Sequence, residues 1–165
     1  MNETASSPPE DASVAAGPPL ATEMLELDRA ECVRLLAEGT LGRIVVNAPH
    51  RPQPVIRPVS YVFDEPSQSV LIRSGSGSKL FALLCTVRAA FEIDGIDPVG
   101  RVGWSVIIEG ATEEITNPAE LRRIEALGLE PWAPGHKGHW IRICASTVSG
   151  RRIVAVADRV PGYRA

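Results

Sequence analysis

From Leu41 to Ala155 the chain is a succession of apolar stretches of β character separated by turn residues, with no regular alternation of strand and long helix. Leu41-Gly-Arg-Ile-Val-Val-Asn47 leads into a Pro-rich turn from Ala48 to Pro54. Val55 to Phe63, a turn over Asp64-Glu-Pro-Ser67 and a strand ending at Arg73 follow. Consecutive strands joined by short turns favour antiparallel pairing. Val87 to Asp94 and Val102 to Ile115 read as two more strands, the second with Gly110 as a bend or bulge. Final strands are expected around Trp140 to Ala145 and Val148 to Ala155. The expectation is a mainly β fold with a few short helices, whose six or seven strands close into a small antiparallel barrel that hides its edges.

The helices announce themselves by their ends. Asp28-Arg-Ala-Glu31 has capping spacing ahead of Cys32, Val33, Leu35 and Leu36, and Gly39 stands where that helix would stop. A helix of about two turns fits Ser78 to Leu84. Asn117-Pro118-Ala119-Glu120 opens another, running through Leu127 to Gly128.

Met1 to Ala21 is rich in Ala, Ser and Pro, and no basic residue precedes Arg29. Such a segment buries too little apolar surface to offset its chain entropy. The expected organisation is a disordered tail over 1–23, one folded domain over 24–157 and a short tail over 158–165. A net charge of −3 lacks the footprint of a general nucleic-acid binder. No apolar run approaches the ~20 residues that cross a bilayer, and the N-terminus lacks the order of a signal peptide. A cytoplasmic protein without nucleic-acid or membrane partners is expected. Cys32, Cys85 and Cys144 are odd in number and embedded in apolar sequence, as befits buried thiols.

Chemistry concentrates in Val70-Leu-Ile-Arg73-Ser-Gly-Ser-Gly-Ser-Lys79-Leu80, a strand, a Ser/Gly loop and a lysine entering an apolar run. Backbone N–H groups turned inward beside Arg73 and Lys79 would make a phosphate cradle. A flexible loop with both cations in water accounts for the same residues equally well. The spacing matches neither Walker A nor the dinucleotide fingerprint.

Other polar residues have simpler expectations. His136-x-x-His139 near Cys144 fits no common zinc spacing and reads as an exposed polar turn. Glu113-Glu114 reads as a solvated strand end, and Trp132 and Trp140 as packing residues against the barrel or a partner. Arg151 and Arg152 alternate across a strand, so at most one faces a site. No G-x-S-x-G nucleophile elbow is present.

Six short motifs in order carry a resemblance: Leu35-Leu-Ala-Glu-Gly39 with Leu41-Gly-Arg-Ile44, Pro58-Val-Ser-Tyr61, Ile72-Arg-Ser74 with Gly77-Ser-Lys79, Phe91-Glu-Ile-Asp94, Gly103-Trp-Ser-Val106 and Gly150-Arg-Arg152. In these the chain resembles the pyridoxamine 5′-phosphate oxidase-like family of flavin-binding split barrels, over Leu25 to Val154. The resemblance implies a six-stranded antiparallel split β-barrel of Greek-key type. It implies a homodimer with FMN in the seam, and a flavin-dependent oxidoreductase acting on a small molecule. Arg57, Pro58, Val59, Ser60 and Tyr61 match the strand beside the flavin ring. Ile72, Arg73, Ser74, Ser78 and Lys79 match the positions that hold the ribityl and phosphate groups. Trp104 and Ser105 match a segment that reaches the cofactor from the partner subunit. The resemblance names no catalytic side chain and no metal ligand. Related barrels use the deazaflavin F420 or bind haem without catalysis, which are the alternatives. Two departures stand out. Ser60 replaces the Asn more often found there, and the C-terminal arginine motif of the true oxidases is not evident after Gly150-Arg-Arg152, which argues against vitamin B6 oxidation.

Overall fold

A computed structural model describes residues 21–47, 52–75, 77, 82, 84 and 88–156. The strands are β1 (Thr22–Leu27), β2 (Leu41–Val46), β3 (Val55–Asp64), β4 (Ser69–Ser74), β5 (Arg88–Asp97), β6 (Val102–Ile115), β7 (His139–Cys144) and β8 (Thr147–Ala155). Helix α1 (Arg29–Glu38) follows β1, and α2 (Pro118–Glu125) follows β6. The expected tails, Cys85 and most of the helix expected over Ser78 to Leu84 lie outside the described residues; Ala82 and Leu84 are helical.

All strand pairs are antiparallel, in the order β1-β8-β6-β5-β2-β3-β4-β7, and a further β6–β7 pairing closes six of them into a barrel. Strand β6 makes this closure by changing partners: Gly103–Glu109 pair with β8, and Thr112–Ile115 pair with β7. Gly110 lies at the change, where an added Cβ would stand 1.6 Å from the Cys144 carbonyl oxygen. The bend expected at Gly110 is therefore a close crossing of backbones inside one continuous strand. Strand β1, which the sequence pattern did not disclose, pairs along β8 beyond the barrel.

The interior forms from alternate positions of each strand. Ile44, Val46, Tyr61, Phe63, Val70, Ile72, Phe91, Ile93, Val106, Ile108, Ile141 and Ile143 join Cys32, Leu35 and Leu36 of α1 in one core. Tyr61 is its polar post. Its ring meets Phe91 edge-on with centroids 4.8 Å apart, and its hydroxyl donates to the Leu36 carbonyl at 2.9 Å. Burial raises the phenol's pKa. Gly39 leaves the room: a Cβ there would come within 2.1 Å of the Tyr61 hydroxyl.

Both helices carry the caps their sequences encode. Asp28 accepts from the Glu31 N–H at 2.8 Å, and Asn117 accepts from Ala119 and Glu120 with Pro118 at the first turn. Helix α2 covers the outside of β3, β4 and β7 through a second cluster of Leu71, Ile115, Ile124, Leu129 and Trp140. A bidentate bond from Arg123 to the buried Asp64, at 2.7 and 2.8 Å, pins it there. Arg123 holds the Asp64 carboxyl below the ordinary carboxylate range. Among the described residues no helix is long and apolar enough to cross a membrane.

Candidate functional site

Strands β3 and β4 bring Ser60 and Arg73 together. Their last paired positions are Tyr61 and Ile72, and Ser60 and Arg73 stand one residue beyond, on the barrel's outer face. On its other side Arg73 is opposite Trp140 of β7, its guanidinium carbon 5.3 Å from the ring centroid. This is cation–π distance.

The connection from α2 to β7 folds over both residues. The Trp132 N–H donates to Ser60 Oγ at 3.2 Å, and Arg73 Nε donates to the Lys137 carbonyl at 3.0 Å. The His136 carbonyl lies 3.0 Å from where a Cβ on Gly75 would stand. Gly77 takes the left-handed conformation, with φ +77°.

The electrostatics single out Arg73. Three arginines among the described residues are half-buried: Arg73, Arg142 and Arg152. Arg142 pairs with Glu113 at 2.8 Å and with Glu120, and Arg152 pairs with Glu31 at 2.7 Å. Arg73 has no carboxylate within ion-pair reach among those residues, and only its Nε is engaged, by a backbone carbonyl. Lys137, also half-buried, bonds only the Pro134 carbonyl, at 3.1 Å. Two half-buried cations on chain segments linked by the Arg73–Lys137 carbonyl bond, each without a carboxylate partner among the described residues, favour an anion here, because partial burial weakens screening by solvent.

The remaining implied residues distribute as follows. Ser74 is buried opposite His139, and Ile72 points into the core. Tyr61 also points inward, so only its main chain faces the site strand. Pro58 is exposed beside half-buried Val59, and exposed Arg57 bonds the Ile56 carbonyl. Ser78 and Lys79 lie outside the described residues. Trp104 and Ser105 are not part of this cluster within one chain, because β2 and β5 lie between β3 and β6. They also face opposite sides of β6: Trp104 pairs with Gly95 and its indole covers that glycine, whereas Ser105 pairs with Asp94. Around them, on either face of the β5–β6 hairpin, are open cavities of about 420 and 670 Å³.

Three readings of polar residues change. His139 opens β7 and its Nδ1 lies 2.7 Å from Glu114, so it is no exposed turn residue. Glu113 and Glu114 are engaged across the β6–β7 pair with Arg142 and His139, since antiparallel neighbours meet there. Trp132 is 72% exposed and outside both core clusters, which removes the barrel and leaves a partner as its packing surface, while Trp140 is buried as expected. Arg152 meets the acid Glu31, and Arg151 is exposed. The sequence concealed Lys137, because nothing in its loop marks a partner 64 positions away.

A closed six-stranded antiparallel barrel with a flanking pair of strands is the split-barrel class of fold. The sequence profile of the pyridoxamine 5′-phosphate oxidase family matches residues 28–152, and the chain belongs to that family. It is 34% identical over 150 residues to the uncharacterized protein Rv0080 of Mycobacterium tuberculosis, covering 85% of this chain and 92% of that one. Among solved structures it is similar to an FAD binding protein from Mycobacterium smegmatis, at 31% identity and TM-score 0.64 over 78% of this chain and 97% of that one. A conserved protein of unknown function, DIP1874 of Corynebacterium diphtheriae, matches at 30% identity and TM-score 0.66, over 79% and 98%.

Proposed function

We propose that this protein binds a flavin nucleotide and works as a flavin-dependent oxidoreductase on a small-molecule substrate, as a homodimer. The observation that carries the reading is Arg73, half-buried, set over the Trp140 ring and without a carboxylate partner among the described residues. A phosphate is the kind of group that completes such a site. The relative from M. smegmatis, described as FAD binding, supports a flavin. FMN is the smallest ligand that uses the whole cradle.

The residues present fit a flavin. Arg73, with Ser78 and Lys79 that follow it in the sequence, would hold the phosphate. Pro58 and Ser60 offer an apolar surface with one hydroxyl on the outer face of β3, and Val59, packed against the core, offers its main chain, as a flat heteroaromatic ring requires. Bound flavin supplies hydride or electron transfer, so the protein need contribute no nucleophile. The connection over Ser60 and Arg73 limits the access of water to the ring edge. Trp104 and Ser105 would reach the ring from the second subunit. In support of that dimer, Met24, Ile107 and Ile153 are 58%, 39% and 39% exposed on the outer face of the sheet containing β1, β8 and β6, an apolar surface suited to a symmetric copy.

The test is a visible spectrum of the purified protein, followed by titration with FMN and riboflavin. Flavin bands with tighter binding of FMN than of riboflavin are expected. A Soret band, or indifference to both flavins, overturns the reading.

A further inference from the structure

We propose that the α2–β7 connection is the positioning element of the candidate site: one short backbone segment sets the Ser60 hydroxyl for the flavin ring and the Arg73 guanidinium for the phosphate, and so couples the two ends. This rests on the flavin reading above. Both contacts come from the main chain of the segment, the Trp132 N–H to Ser60 Oγ at 3.2 Å and the Lys137 carbonyl to Arg73 Nε at 3.0 Å. Between them the His136 carbonyl lies close over Gly75, where the Ser/Gly loop begins. Only a shift of the segment itself moves these groups, and it moves them together.

What each anchor does follows from its chemistry. A hydroxyl oxygen that accepts a hydrogen bond is polarised into a better donor, so the Trp132 N–H biases Ser60 to donate to an acceptor on the outer face of β3. The Lys137 carbonyl occupies Arg73 Nε and leaves the terminal nitrogens to a phosphoryl group. The segment is held firmly enough to act as one piece. Leu129 before it and Trp140 after it are buried in the same cluster, and Pro131 and Pro134 restrict its backbone. Gly135 turns it at φ +92°, and among the described residues nothing lies within 4 Å of where a Cβ would stand. A side chain at 135 therefore strains the backbone without a clash, and the segment shifts to relieve it.

The full-length wild type, Gly135→Ala, Ser60→Ala and the double variant are titrated with riboflavin and with FMN, read by flavin fluorescence, with far-UV circular dichroism as the control for folding. Gly135→Ala should weaken riboflavin about fivefold and FMN about twentyfold, because FMN uses both anchors. In the Ser60→Ala background, Gly135→Ala should no longer weaken riboflavin, whereas its effect on FMN should persist through Arg73. Gly135→Val, more strained at the same angle, should repeat the pattern more strongly. Wild-type affinity for both flavins in the two Gly135 variants overturns the proposal while the flavin reading survives. So does a riboflavin loss in Gly135→Ala that is undiminished in the Ser60→Ala background. A wild type that binds neither flavin removes the flavin reading and this proposal together.

Discussion

The guanidinium carbon of Arg73 lies 5.3 Å from the centroid of the Trp140 ring, with the two residues paired across β4 and β7. The indole fixes the plane of the guanidinium while the Lys137 carbonyl takes its Nε, so the remaining nitrogens keep one direction. Arg73→Met should therefore weaken FMN binding by about 1.5–3 kcal/mol, the range for hydrogen bonds to a charged group, with riboflavin nearly unaffected. Lys79→Ala should behave alike. Parallel titration with the two flavins checks this, and equal losses for both would remove either cation from the phosphate.

Gly110→Ala is expected to be among the most damaging single-methyl changes in the chain. The new carbon would overlap the Cys144 carbonyl, a backbone atom that no side-chain rotation can move aside. A cost of about 3 kcal/mol or more is expected. Urea unfolding measures it, and a loss below 1 kcal/mol would mean that the β6 crossing is looser than described.

Asp64 and Arg123 should show opposite tolerance to loss of their partner. The Asp64 side chain is 1% exposed and that of Arg123 is 43% exposed, so Arg123→Met strands a buried carboxylate whereas Asp64→Ala releases a cation into water. Arg123→Met should cost about 2 kcal/mol at neutral pH, less than for a fully buried pair because Arg123 is half in solvent. The folded-state carboxyl is held below its unfolded value, first by Arg123. Its contribution is thus complete above the unfolded pKa of about 3.9 and is lost as pH falls through the folded value. The stability gap between wild type and Arg123→Met should narrow below about pH 4, in denaturant titrations run from pH 7 to 3. A constant gap would refute the linkage.

The proposed dimer makes a joint prediction. Sedimentation at micromolar concentration should give twice the 17.7 kDa chain mass, and Ile153→Lys should give monomers that bind flavin less well. Trp104→Phe should lower flavin affinity and dimer stability together. A monomeric wild type refutes the dimer, and a Trp104→Phe variant changed only in melting temperature makes that indole a packing residue.

Much of the fold was legible because local signals agreed with the final packing. The strand over Val102 to Ile115 and the caps at Asp28 and Asn117 were written in adjacent residues. Thr22–Leu27 was not, because its strand character comes from pairing with β8, more than 120 positions away, and it follows a Pro-rich segment. In the site, Arg73 and Ser60 could be named from their motifs. Lys137 and Trp132 could not, since a loop's partners are set by where the barrel delivers its ends. The Glu114–His139 pair was hidden for the same reason: each residue looks solvated until β6 meets β7.

The ladder that completes the barrel, from Thr112–Ile143 to Ile115–Trp140, holds four residue pairs, whereas β5 and β6 share ten. The β2–β5 and β3–β4 ladders are equally short, with four pairs each. Trp140, whose ring carries the Arg73 guanidinium, is itself the last residue of the closing ladder, opposite Ile115. The aromatic floor of the cation site is therefore also a rivet of the ring, and whatever loosens the closure loosens the grip on Arg73.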